Sequence, residues 1–244
     1  MLLWNSKINM ATSYKNIQLS FEDIESNWNR FLNYIQQHVK CLSNSDVDRK
    51  QILVENYESF AERFMLMPAS TRVYYHNCFP GGYIDHVLRV TDYAIQFHHT
   101  WIANFGFEPT YDLDELIFAA LNHDLGKYGS DSAPCYIPNT SSWHVERGEL
   151  YAINPINDFT TVSDRSLFTL QSWGVPVSIN EMLGIKLHDG LYEEANKSYY
   201  INHSPQAKLR TNLPYVLHQA DLTAARFEYT RWLKLNPYID LSDQ

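Results

Sequence analysis

Asp124 stands where an apolar side chain is due. Leu113, Leu116, Ile117, Ala120 and Leu121 recur at helical spacing, and the next position on that stripe is a carboxylate. Two other stretches repeat the anomaly. His86 lies among Tyr83, Val87, Val90, Ala94, Phe97 and Trp101, and Asp221 lies within Leu213, Val216, Leu217, Ala220, Ala224 and Phe227. With His123 beside Asp124, four ligand-type side chains from three helices are aimed at an interior. Burying one unpaired carboxylate costs on the order of several kcal/mol, and two close together repel and raise each other's pKa. A divalent cation held by imidazole nitrogen and carboxylate oxygen removes both penalties, because the ion becomes the largest local charge. One such residue on an apolar stripe is more often a hydrogen-bonded core residue. Four that converge are not explained that way.

The elements that must position them are helical. Ser20 as N-cap with Asp23 three residues on opens a helix over 20–41, and further helices fit 46–66, 83–105, 113–125, 143–153, 163–173, 178–188 and 212–235. Residues 126–142, rich in Gly, Ser, Pro and Asn, read as an irregular loop with room for a short hairpin. Residues 189–211 read as a polar loop near the site. The fold class expected is all-α: a single helical bundle, with residues 1–75 as an N-terminal helical extension packed on the core and 236–244 as a tail.

Composition narrows the chemistry. The chain has 244 residues, 45% of them hydrophobic, enough for one sizeable core. A net charge of -9 gives no basic footprint for an extensive nucleic-acid surface and favours a small anionic substrate neutralised locally. Cys41, Cys78 and Cys135 are odd in number and lack CxxC spacing, so neither a disulfide framework nor a thiolate site is expected, and a reducing cytoplasm is the simplest setting. No apolar run is long enough for a membrane span, and Met10 is a second candidate start besides Met1. Oxygen and nitrogen ligands without thiolate suit Mn²⁺, Fe²⁺, Mg²⁺ or Zn²⁺.

The segments GGYIDHVLRV, LNHDLGKYG and LHQADLTAARF, which span residues 81–227, resemble the HD-domain metal-dependent phosphohydrolase superfamily. The nearest likeness is to the HD domain of bacterial 3'-to-5' exoribonucleases and of relaxase-linked HD proteins, through His76-Asn77 and Pro80-Gly81-Gly82. The resemblance implies an HD domain over 76–235 and a metal set of His86, His123, Asp124 and Asp221. It also implies His144 and His188 as ligands of a second ion, with Asp189 where relatives often carry another His. One or two divalent ions are expected, with Mn²⁺ or Fe²⁺ favoured. The catalytic set implied is Asp124 to orient water and Lys127 to hold a phosphate oxygen. His76 is expected to protonate the leaving oxygen, and His218, one turn before Asp221, to support metal or substrate. Tyr128, Tyr136, Trp143, Tyr192 and Tyr199 are aromatics within reach of a base, whereas His38, His98, His99 and His203 read as surface or packing residues. The activity implied is hydrolysis of a phosphoester of a nucleotide or short oligonucleotide. Two other readings stay open: a di-iron HD oxygenase acting on a phosphonate-like substrate, and a non-catalytic nucleotide-binding protein. Pairing into a homo-oligomer also stays open.

Overall fold

Ser20 accepts the Asp23 N–H at 3.1 Å while the Asp23 carboxylate accepts the Ser20 N–H at 3.2 Å, and this reciprocal cap starts α1 (Phe21–His38). The structure, a computed structural model, describes residues 14–43, 45–202 and 204–237. His203, both candidate starts and most of the 236–244 tail lie outside the described residues. α1 turns Ile24, Trp28, Phe31 and Ile35 inward.

The single helix expected over 46–66 is two, α2 (Arg49–Ser59) and α3 (Ala61–Leu66). They part at Phe60, whose φ of -121° and ψ of 26° leave the helical region and swing its ring onto Tyr128, 5.1 Å between centroids. α4 (Gly82–Phe105) and α5 (Leu113–Asn122) follow, and a 3-10 turn over Leu125–Tyr128 continues from α5.

The expected helix over 143–153 is reduced to α6 (Ser142–Glu146). Gly148, at φ 81°, stops it, and Tyr151–Ile153 becomes β2, antiparallel to β1 (Tyr136–Pro138), with Ile137 opposite Ala152. The hairpin-like pairing therefore reaches beyond the 126–142 loop. α7 (Val162–Ser172), α8 (Ile179–Leu187) and α10 (Leu213–Leu235) match their expected spans closely. The 189–211 loop holds two short 3-10 turns and α9 (Lys197–Tyr200).

Helix makes up 59% and strand 5% of the structure, so the fold is all-α despite its two-stranded ribbon. α10 runs along α4, α5 lies between α4 and α8, and α8 also packs on α10. α1–α3 share this core instead of forming one of their own: Phe31, Leu53, Tyr57 and Phe64 join one cluster with Tyr83, Val87, Leu116, Leu121 and Leu217. Arg49 on α2 and Glu181 on α8, both buried, close a bidentate ion pair at 2.7 and 2.8 Å, which ties the N-terminal helices to the far side of the bundle. Cys41, Cys78 and Cys135 are free thiols. Among the described residues no helix is long and apolar enough to cross a membrane.

Candidate metal centre

Four helices deliver side chains to one point. His86 comes from the second turn of α4, and His123 and Asp124 from the junction of α5 with the 3-10 turn. His188 and Asp189 come from the end of α8, and Asp221 from the middle of α10. Local glycines allow the approach. Gly81, at φ 86°, takes a left-handed conformation before α4, and a Cβ on Gly82 would meet the Asn77 carbonyl at 2.1 Å. A Cβ on Gly126 would meet the Val162 carbonyl at 2.2 Å, so only glycine lets α7 press against the turn that carries Lys127.

The histidines are preset as ligands. His123 Nδ1 donates to the Ala120 carbonyl at 2.7 Å, His188 Nδ1 to the Ile185 carbonyl at 2.8 Å, and His86 Nδ1 to the Glu228 carboxylate at 3.1 Å. Carbonyl and carboxylate oxygens only accept, so each Nδ1 carries a proton and Nε2 is the atom left to face the site. Those Nε2 atoms face carboxylates. His86 Nε2 is 3.2 Å from Asp221 and 3.6 Å from Asp124, and His123 Nε2 is 3.5 Å from Asp124. His188 Nε2 is 3.7 Å from Asp124 and 3.6 Å from Asp189. Among the described residues, the Nε2 atoms of His86 and His123 are buried without a hydrogen-bond partner. Each such nitrogen needs a proton or a metal cation between it and the carboxylate it faces for the contact to be attractive. The donor set therefore fits a divalent ion. His86, His123 and Asp221 form one group able to hold it, His123, Asp124 and His188 another, and His188, Asp189 and Asp221 a third.

The charges agree with that fit. Burial alone would raise the Asp124 carboxyl, yet Lys127 and His123 outweigh it and hold it well below the usual range. Burial likewise opposes ionisation of Asp221, and His86 and His123 reverse it. For His86, burial disfavours the imidazolium, but Glu228 and Asp221 push it up to about 10. His188 is raised against burial by Asp189 and Asp124. The four histidine and aspartate positions first expected, His86, His123, Asp124 and Asp221, are thus brought together, and His188 joins them.

Lys127 and His76 border the same cluster. Lys127 Nζ donates to Asp124 at 2.5 Å and lies 3.4 Å from His76 Nε2. Burial opposes the ammonium charge, and Asp124 overrides it. His76, His86 and Asp124 make a further ligating group. Burial and the Lys127 charge depress His76 well below the ordinary imidazole value, so its ring rests neutral with a nitrogen able to meet a ligand.

His218 Nδ1 donates to the His188 carbonyl at 2.7 Å and its ring rests on Gly190, which makes it a support for the α8 end. His144 is not brought in. It lies on α6, half exposed and paired with Glu149, and shares no ligating group with the others. Twenty residues of irregular chain and ribbon after Asp124 carry it away. Of the aromatics, Tyr128 is a core ring stacked 5.0 Å from Phe64, whereas Tyr192 sits exposed 6.3 Å from His218. Tyr136 on β1 is half-buried, Tyr199 is exposed, and exposed Trp143 lies against His144. His98 is a packing residue bonded to Tyr111, His38 pairs with Asp114, and His99 is exposed.

Sequence reasoning missed Glu228, which is fully buried behind His86. It took Phe227 as the end of the α10 stripe, but that ring is 51% exposed. The signal was present: Glu228 lies seven residues after Asp221 and four after Ala224, on the same face. Comparison with protein-family models, with curated proteins and with solved structures finds no match to this chain.

Proposed function

We propose that this protein is a metal-dependent phosphohydrolase that cleaves a phosphoester of a nucleotide or short oligonucleotide. The observation that carries the reading is the pair of orphaned imidazole nitrogens, on His86 and His123, facing the ionised Asp124 and Asp221 with Lys127 alongside. The resemblance of GGYIDHVLRV, LNHDLGKYG and LHQADLTAARF to the HD superfamily supports the choice of reaction. Mn²⁺ or Fe²⁺ is the proposed ion, held by His86, His123, Asp124 and Asp221, with His188 and Asp189 completing a second position. Such an ion supplies Lewis-acid polarisation of a phosphoryl oxygen and makes water a competent nucleophile near neutral pH.

The chain's own groups do the rest. Lys127, charged and bordering the cluster, meets a phosphoryl oxygen and offsets the charge that grows on it. Asp124, ionised, directs one oxygen toward His123 and the other toward His188, and orients the attacking water between them. His76, neutral at rest and bordering Lys127 and Asp124, relays that water's proton to the leaving oxygen. The net charge of -9 disfavours a long polyanion and favours a small nucleotide.

The test is metal analysis of the purified protein with a screen of nucleoside mono-, di- and triphosphates, cyclic nucleotides and short oligonucleotides under Mn²⁺. Turnover that Asp124→Ala abolishes is expected. Absence of turnover on every phosphoester by Mn²⁺-loaded protein would overturn the reading, and bound iron with cleavage of a phosphonate would replace it with an oxygenase.

A further inference from the structure

Behind His86, away from the proposed ion, a line of charged side chains runs outward from the core. Both oxygens of Glu228 face His86 Nδ1, at 3.2 and 3.1 Å, and the glutamate side chain is fully buried. Arg89 Nε donates to Glu228 at 3.0 Å, and Arg89 Nη2 donates to Asp85 at 2.7 Å. Asn77 then donates to Asp85 at 2.8 Å and to the Gly82 carbonyl at 3.2 Å. His86 is unlike His123 and His188 in this respect, since those two rest on backbone carbonyls. A buried carboxylate is costly unless its charge is compensated, and here His86 and Arg89 supply the compensation.

We infer that Glu228 is a positioning residue for the metal centre: clamped by Arg89, it fixes the His86 ring with Nε2 free and lends it negative charge, so that it binds a dication more tightly. The inference rests on the metal-dependent reading above. Glu228 touches neither ion nor substrate. It acts through the imidazole, as a carboxylate behind a ligating histidine does by fixing its tautomer and raising its basicity. Arg89 holds the carboxylate at the correct angle and prevents it from turning.

The experiment is calorimetric titration of the full chain with Mn²⁺ alone, for wild type, Glu228→Gln and Arg89→Gln, alongside long-range ¹H–¹⁵N spectra of the histidine rings of the same proteins loaded with diamagnetic Zn²⁺. Wild type that binds no divalent ion would sink the metal-dependent reading itself. Given binding by wild type, Glu228→Gln is expected to weaken Mn²⁺ affinity by roughly 10–100-fold. The His86 ring signals should also change from a single Nδ1–H tautomer to a mixture, with the other histidines unmoved. A folded Glu228→Gln protein with Mn²⁺ affinity within about threefold of wild type and an unaltered His86 tautomer would overturn the inference. If Glu228→Gln does not fold, Arg89→Gln decides: weakened Mn²⁺ binding supports the clamp, and unchanged binding refutes it.

Discussion

His123 and His188 stand in the same relation to two different helices: each caps the carbonyl three residues earlier through Nδ1, and each turns Nε2 toward Asp124. The Ala120 and Ile185 carbonyls they donate to are among the four that every helix leaves unpaired at its end, so one ring both finishes a helix and offers a ligand. Their rings meet edge to face at 4.8 Å, with Asp124 Oδ2 nearer His123 and Oδ1 nearer His188. A carboxylate placed between two such rings can serve two ions.

This arrangement separates His188 from His144. His188→Ala should reduce bound Mn²⁺ from two equivalents to one, or weaken its binding by at least about tenfold, because it removes a buried nitrogen donor. His144→Ala should leave stoichiometry and turnover unchanged, since that ring pairs with Glu149 at the surface. Metal analysis after dialysis reads both, and loss of metal in His144→Ala would contradict the placement.

Much of this centre was legible in the sequence because charge on an apolar stripe is costly. His86, Asp124 and Asp221 declare themselves that way, each from a helix or the residues just past its end, where the facing can be counted. Lys127 and His188 could be assigned only through the family likeness, since a Gly-Lys pair or a histidine at a helix end has ordinary explanations. His144 went astray because its position depends on the ribbon formed by 136–138 and 151–153, a long-range pairing that no local periodicity announces. Glu228 was hidden by Phe227, whose hydrophobicity suggested burial that the helix turn does not give it.

Stability should fall between pH 6.5 and 9 without metal, and metal should lessen that fall. The His86 pKa, raised from 6.5 to about 10, adds stability that is complete below 6.5 and is lost as pH climbs toward 10. Asp124 and Asp221, depressed below 3.8, add stability that is present above that value and lost as pH falls. Chelator-treated protein is therefore expected to have a Tm lower by roughly 5–10 °C at pH 9 than at pH 6.5. Mn²⁺, taking the proton's place, should raise the pH 9 value more than the pH 6.5 value. A chelated protein with a Tm flat or rising between those two pH values would count against the charge arrangement.

Lys127→Met should divide catalysis from metal binding. The ammonium is an opposite charge on Asp124 and not a ligand, so its loss should leave Mn²⁺ affinity equal or higher. Turnover should fall by roughly 10²–10³ if the same ammonium meets the phosphoryl group, the usual loss for a donor aimed at developing negative charge. Steady-state kinetics on whichever nucleotide is cleaved provides the measurement. Wild-type kcat in Lys127→Met would remove the residue from the mechanism.

The Arg49–Glu181 pair predicts a stability effect that reaches the metal centre from outside it. Arg49 is buried, stacks 4.4 Å over the Phe118 ring and donates to the Lys40 and Pro176 carbonyls as well as to Glu181. Arg49→Met would keep the volume but leave Glu181, buried at the start of α8, with the Ser178 N–H in place of a cation, costing about 3–5 kcal/mol. Because α8 ends in His188 and Asp189, loosening it should also weaken Mn²⁺ binding, although Arg49 lies on α2 and is not among the ligands. The double variant Arg49→Met with Glu181→Leu removes both charges and should recover most of the lost stability and the metal affinity with it. Urea unfolding of the three proteins, each with and without Mn²⁺, measures the coupling. A single Arg49→Met variant as stable as wild type would mean that Glu181 finds another partner and that the pair does not join the N-terminal helices to the site.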